Sequence, residues 1–208
     1  MADFIREEWQ KRSRRNGVVA VMSARHTHKE NEIASEKMKR DIMNFLERNY
    51  GPLDNKRILE LGCGIGRFTR ELALKSRGVV AVDMTPGMIE KAKAYTSDIK
   101  NITYITSKIS ELDVDSLGQF DLVFEAITLL HILDEAEYKR SLGVMKSSAP
   151  YIFICEHMAD NAPVSQYSRL RAFEEYENDF HPFKLASYDK NHYCVTDWFP
   201  LMLFKRSH

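Results

Sequence analysis

The sequence predicts a single-domain, three-layer α/β/α sandwich: a mostly parallel seven-stranded sheet with helices on both faces and an antiparallel C-terminal hairpin strand. Three observations carry that reading. Short apolar runs alternate with amphipathic segments over most of the chain. Three glycines, Gly62, Gly64 and Gly66, follow the first of those runs. The alternation gives way to two consecutive strand-like runs only near the C-terminus.

Taken in order, Met38, Ile42, Phe45, Leu46 and Tyr50 recur at three- and four-residue steps, the buried stripe of a helix over residues 31–50 that Gly51 and Pro52 end. Residues 57–61, RILEL, read as the first strand, and Phe68, Leu72 and Ala73 as the inner face of the helix that follows. Residues 78–83, GVVAVD, are a second strand. Thr85 and Pro86 then have the form of an N-cap and a first-turn proline, opening a helix to about residue 96. A third strand follows at 102–105 and a fourth at 120–125, and a helix from near Asp134 carries Tyr138, Leu142 and Met145. The fifth strand is 151–156. Beyond it the pattern predicts a polar loop, a helix around 168–176, and a hairpin from 183–188 and 199–205 that closes the sheet.

A chain of 208 residues with 44% hydrophobic and 29% charged content holds one sizeable core. Residues 31–208 are expected to form that unit, with residues 1–30 as a lid or substrate segment. Thirty basic residues balance thirty acidic ones, so no overall charge attracts nucleic acid or an anionic membrane. Cys63, Cys155 and Cys194 lack disulfide or metal spacing, which predicts free thiols in a reducing compartment and no metal centre. The first residues, MADFIREEWQKRSRR, are charged where a leader needs an apolar core, and no later run is long enough to span a bilayer; the expectation is a cytoplasmic protein. The basic run at 11–15 reads as a solvated helix end.

The glycine loop, ILELGCGIGRFT at 58–69, carries the functional signal. Glycines at a strand-to-helix turn admit positive φ and close ligand approach, and the helix behind them offers unpaired N–H groups. A dinucleotide loop spaces its glycines GxGxxG. Here the third glycine comes one position early and Arg67 stands where that pattern wants glycine. Asp83 ends the next strand, where a carboxylate accepts both hydroxyls of a ribose or, taken alone, caps a helix. Glu60, inside the motif, repels a pyrophosphate and favours a ligand bearing an ammonium and a sulfonium group.

With Glu60 to Gly66, Asp83 and the 120–123 strand in register, residues 31–157 resemble the class I S-adenosylmethionine-dependent methyltransferases. The resemblance implies S-adenosyl-L-methionine as cofactor. Glu60, Gly62, Cys63, Gly64 and Gly66 match the positions that take its methionine end, Asp83 the position that takes the ribose, and Arg67 beside them is a further cofactor-binding candidate. Met84 falls by the adenine, as does Ile109 in the loop 107–110, and Met88 is a further cofactor-binding candidate. That loop departs from the pattern at Lys108, where the family commonly has aspartate. Glu125 and Ala126 match positions whose backbone faces the methionine amino group and the transferring methyl. The family's strand inserted antiparallel beside the fifth is expected at 198–204, with Pro200 at its start.

Methyl transfer from a sulfonium needs alignment, and a base only where the acceptor must shed a proton. His131, following the fourth strand, is the candidate catalytic residue; the alternative is a histidine packed at a helix start. Glu156 and His157 leave the fifth strand at the same edge. In the N-terminal segment Trp9, Arg25, His26 and His28 offer stacking and polar contacts. Residues 167–176 resemble a helix found in several small methyltransferases, including those that modify protein N-termini, and Arg169 and Arg171 there either reach an acceptor carboxylate or are solvated. The expected acceptor is a small molecule or a short peptide. A non-catalytic cofactor binder and a nicotinamide-dependent oxidoreductase remain as alternatives, the second opposed by the early third glycine and Glu60.

Overall fold

The computed structural model describes residues 2–22, 26–158, 166–194 and 197–207. Its helices are α1 (Ala2–Arg12), α2 (His28–Asn49), α3 (Arg67–Lys75), α4 (Pro86–Tyr95), α5 (Val114–Leu117), α6 (Glu135–Ser148) and α7 (Phe173–Asp179). Five strands run parallel: β1 (Arg57–Leu61), β2 (Gly78–Asp83), β3 (Ile102–Thr106), β4 (Leu122–Ala126) and β5 (Tyr151–Cys155). A small ribbon of β7 (Tyr193–Cys194) and β8 (Asp197–Trp198) interrupts the closing hairpin of β6 (Phe183–Asp189) and β9 (Leu201–Arg206). The seven-stranded sheet has the order β3-β2-β1-β4-β5-β9-β6, with β9 inserted antiparallel between β5 and β6. Pro200 immediately precedes β9, so it removes no ladder hydrogen bond from the strand.

Successive residues of each central strand enter opposite cores. Ile58, Val79, Leu122 and Phe153 pack with α2 and α3, while Leu59, Val80, Val123 and Ile152 pack with α6 and α7. Burial on both faces is why these strands are continuous apolar runs rather than alternating ones. Strand order reverses at β1, which has β2 on one side and β4 on the other. The C-terminal ends of β1, β2 and β4 therefore splay around a crevice, the usual ligand position in such sheets.

Two helix boundaries differ from expectation. α2 begins at His28 rather than at 31 because Thr27 and Glu30 form a capping box: the Thr27 hydroxyl accepts from the Glu30 N–H at 3.3 Å, and the Glu30 carboxylate accepts from the Thr27 N–H at 2.7 Å. α7 begins at Phe173 rather than near 168. The Arg169 N–H donates to the Leu130 carbonyl at 2.8 Å, which draws the preceding chain out along the sheet edge. Of the three cysteines, Cys63 and Cys155 are buried and not disulfide-bonded; the side chain of Cys194 lies outside the described residues. Among the described residues no helix is long and apolar enough to cross a membrane.

Candidate active site

One cavity occupies the crevice, and its wall draws on the glycine loop, the ends of β2, β3 and β4, the turn after β4, and α1. Gly62, Gly64 and Gly66 have φ of +75°, +53° and +84°, values that explain why the loop needs glycine. A Cβ on Gly62 would overlap the Thr128 side chain, which ties the loop to the turn after β4. The Gly62 and Cys63 N–H groups donate to the Val82 carbonyl at 2.8 and 2.9 Å. Asp83 fixes the loop from the next strand: its Oδ2 accepts from the Gly64 N–H at 3.0 Å and its Oδ1 from the Thr85 N–H at 2.8 Å. Burial raises its pKa, and the Thr85 and Gly64 N–H groups pull it back.

Of the residues singled out from the sequence, Gly62, Cys63, Gly64, Arg67, Asp83, Met84, Met88, Ile109, Ala126 and His131 line this cavity together. Glu60, Gly66 and Glu125 do not. Gly66 faces away, where a Cβ would lie 3.1 Å from Ala92, so its role is close packing of α3 and α4. Glu60 is only 2% exposed and lies inside the sheet, not on the wall. Burial pushes its pKa up to about 8, against the opposing pull of Thr69 and Arg67. In this state the carboxyl is mostly protonated at neutral pH, contrary to the standing negative charge expected there. Its Oε2 has no hydrogen-bond partner.

Glu125 belongs to a buried frame behind the wall. Both it and Glu156 are fully buried. The Thr128 N–H donates to Glu125 Oε1 at 2.6 Å and to Glu156 Oε1 at 2.8 Å, and the Leu129 N–H donates to Glu156 Oε1 at 2.6 Å. Burial raises the pKa of both carboxyls, that of Glu125 further because the Glu156 charge faces it. From the other side Arg171, 1% exposed, donates to the Leu129 and Ile132 carbonyls at 3.1 and 3.3 Å and lies over the Tyr138 ring at 3.4 Å. The turn is thus gripped at its N–H groups by two acids and at its carbonyls by a guanidinium. Ile127, at the start of this segment, has φ of +60°, a strained value for a β-branched residue, and lines the cavity.

The frame presents His131. Its Nδ1 lies 2.8 Å from the Tyr167 carbonyl oxygen, which only accepts, so Nδ1 carries the proton and Nε2 keeps its lone pair. Burial lowers its pKa to about 4, the Tyr167 contact opposing and the Arg12 charge reinforcing that shift. The imidazole is uncharged at neutral pH. Trp9 meets its ring edge-on at 4.9 Å, and Phe4 stacks on Tyr167 at 5.0 Å, so α1 covers this end of the cavity with Ile5 and Trp9.

Other residues named from the sequence stand elsewhere. His28 is exposed and pairs with Glu32 at 3.1 Å, the His26 carbonyl accepts from Asn31, and Arg25 lies outside the described residues. His157 packs on Phe199. Arg169 pairs with Glu135 at 2.8 Å, and neither it nor Arg171 lines the cavity. The wall residues the sequence did not single out include Ile5, Ile127, Thr128 and Glu137. Of these, Thr128 had a readable signal, since it opens the run that delivers His131 from the end of β4.

Residues 58–148 match the family described as methyltransferase domain. Over that span, which is less than half of the chain, it is similar to that family. The curated relatives include phosphoethanolamine N-methyltransferase 1 of Arabidopsis thaliana, 34% identical over 109 residues, and a ubiquinone biosynthesis O-methyltransferase of Acinetobacter baumannii (strain ACICU), 26% identical over 113 residues. These alignments take in 50% and 53% of this chain but only 22% and 48% of the relatives, so the chain spans less than half the length of either. Among solved structures, N-methyltransferase NodS from Bradyrhizobium japonicum WM9 with S-adenosyl-l-homocysteine superposes with a TM-score of 0.77 at 15% identity, covering 98% of this chain and 99% of that one. The magnesium protoporphyrin IX methyltransferase of Synechocystis PCC 6803 with bound SAM gives 0.72 at 14% identity, with 99% and 94% covered. At those identities the likeness is one of fold.

Proposed function

We propose that this protein is an S-adenosylmethionine-dependent methyltransferase whose acceptor, a small molecule or short peptide, binds beside His131. The observation that carries the reading is a single cavity with the Asp83 and glycine-loop wall at one end and a neutral, oriented histidine at the other. The residues fit the cofactor. Each Asp83 oxygen accepts one backbone N–H, leaving lone pairs for a ribose diol. The glycine loop admits an amino-acid backbone, Arg67 stands at its end to face a carboxylate, and Met84, Met88 and Ile109 give an apolar seat for a purine. When bound, the cofactor supplies an electrophilic methyl group on a sulfonium.

The chain's own residues then do three things. Asp83 and the loop hold the nucleoside in register. Ile5 and Trp9 of the proposed N-terminal lid exclude water, which strengthens every polar contact inside. His131 Nε2 accepts the N–H or O–H of the acceptor, aiming its lone pair along the line of displacement and taking the proton as the new bond forms. Glu60 acts from behind the loop: a cationic ligand favours its ionised form, so binding releases a proton below pH 8.

The relatives' names suggest where to start the acceptor search. Release of S-adenosylhomocysteine would be followed over a panel that begins with phosphoethanolamine and ubiquinone precursors and extends to other amines, carboxylates, phenols and short peptides. Turnover of at least one acceptor, lost in His131→Asn, is expected. Cofactor binding with no turnover across the panel would favour the non-catalytic binder.

A further inference from the structure

The loop after β3 carries Lys108 where the family pattern has aspartate, and the structure shows what that lysine meets. Its Nζ lies 3.3 Å from Oε2 of Glu137, in the first turn of α6. Both side chains are largely sheltered, 19% and 16% exposed, and both line the cavity. The pair also stands beside the ribose position, because the Ser107 N–H donates to the Asp83 carbonyl at 3.1 Å and so sets this loop directly against the end of β2. Ile109, Met84 and Met88 supply apolar surface next to it.

We propose that Lys108 and Glu137 together read the hydrogen-bonding edge of the nucleoside base. This inference rests on the cavity being the S-adenosylmethionine site. A 6-aminopurine presents a donor, its exocyclic amino group, next to an acceptor, ring N1. A carboxylate beside an ammonium is the complementary pattern: Glu137 accepts from the amino group while Lys108 donates to N1. A 6-oxopurine presents the reverse order, an acceptor next to an N1–H donor. Lys108 and Glu137 issue from different elements, so they cannot exchange places to follow it. A pair that only braced the loop against α6 would contribute to stability and be indifferent to the base.

The test is calorimetric titration of S-adenosylhomocysteine and its 6-oxo analogue, S-inosylhomocysteine, into the wild-type chain, Glu137→Gln, and the exchanged double variant Lys108→Glu with Glu137→Lys, with thermal melts as a check on folding. Wild type is expected to prefer the 6-amino compound by roughly tenfold or more, Glu137→Gln to lose most of that preference, and the exchanged pair to reverse it. An unchanged preference in folded Glu137→Gln would overturn the proposal while leaving the cofactor reading intact. Failure of the wild type to bind either compound would overturn both.

Discussion

The two ends of the cavity are built on different principles. At the Asp83 end, every group belongs to a strand-loop-helix unit or its immediate neighbour, and the fixing bonds are backbone N–H groups meeting one carboxylate and one carbonyl. At the His131 end, the turn 128–131 is held by side chains that converge from β4, from just beyond β5 and from the segment before α7, under a cover contributed by α1. The first end is specified locally and the second by tertiary assembly. Nucleoside binding should therefore tolerate damage at the His131 end, while turnover should be sensitive to it.

The largest effect that would sharpen this contrast is chemical. His131→Asn is expected to lower kcat/KM by about 100- to 10,000-fold while leaving the dissociation constant of S-adenosylhomocysteine within about threefold of wild type. A parallel loss of nucleoside affinity would break the division of labour.

Next is the frame itself. Arg171→Ala takes the guanidinium donor from the Ile132 carbonyl, leaves the Leu129 carbonyl with the Ile132 N–H alone, and strips the Tyr138 ring of its cover, so urea unfolding should show a loss of about 3 kcal/mol. Turnover should fall with it at temperatures where the variant is still folded. A variant as stable as wild type would mean that the guanidinium contributes nothing to holding the turn.

A smaller and pH-dependent effect belongs to the Asp83 end. Because the Glu60 pKa is about 8 in the folded chain, above the ordinary carboxylate value of 4.5, the native state binds this proton more tightly than the unfolded state does. Its stabilising contribution is complete below pH 4.5 and declines between 4.5 and 8, at most by about 1.4 kcal/mol per pH unit. Unfolding curves at pH 5, 6.5 and 8 should show wild type losing ground steadily to Glu60→Gln as pH rises. A difference between the two that stays flat across that range would contradict the buried, protonated carboxyl.

How much the sequence disclosed follows the same division. The sheet, its order of strands and helices, the glycine loop and Asp83 were all readable, because apolar periodicity and glycine spacing are properties of neighbouring residues. The start of α2 was also written locally, in Thr27 and Glu30, and a reading based on the apolar stripe alone passed over it. Glu60 was read as a charged residue facing the ligand, whereas it is buried behind the wall and mostly protonated, since burial is a tertiary property. Arg171 illustrates the remaining difficulty: an arginine in a short segment read as a surface helix looks solvated, and only the folded chain brings it under the His131 turn. Glu137 and Ile5 reach the wall in the same way, from elements whose relation to the glycine loop is set by packing.

The central claim is that the Asp83 wall is a seat for a nucleoside joined to an amino acid. Calorimetric titration of S-adenosylhomocysteine and NADH into the wild-type chain and into Asp83→Ala tests it most directly. Saturable binding of S-adenosylhomocysteine to the wild type, a loss of roughly 100-fold or more in Asp83→Ala, and no binding of NADH are expected. Tight binding of NADH without S-adenosylhomocysteine would contradict it.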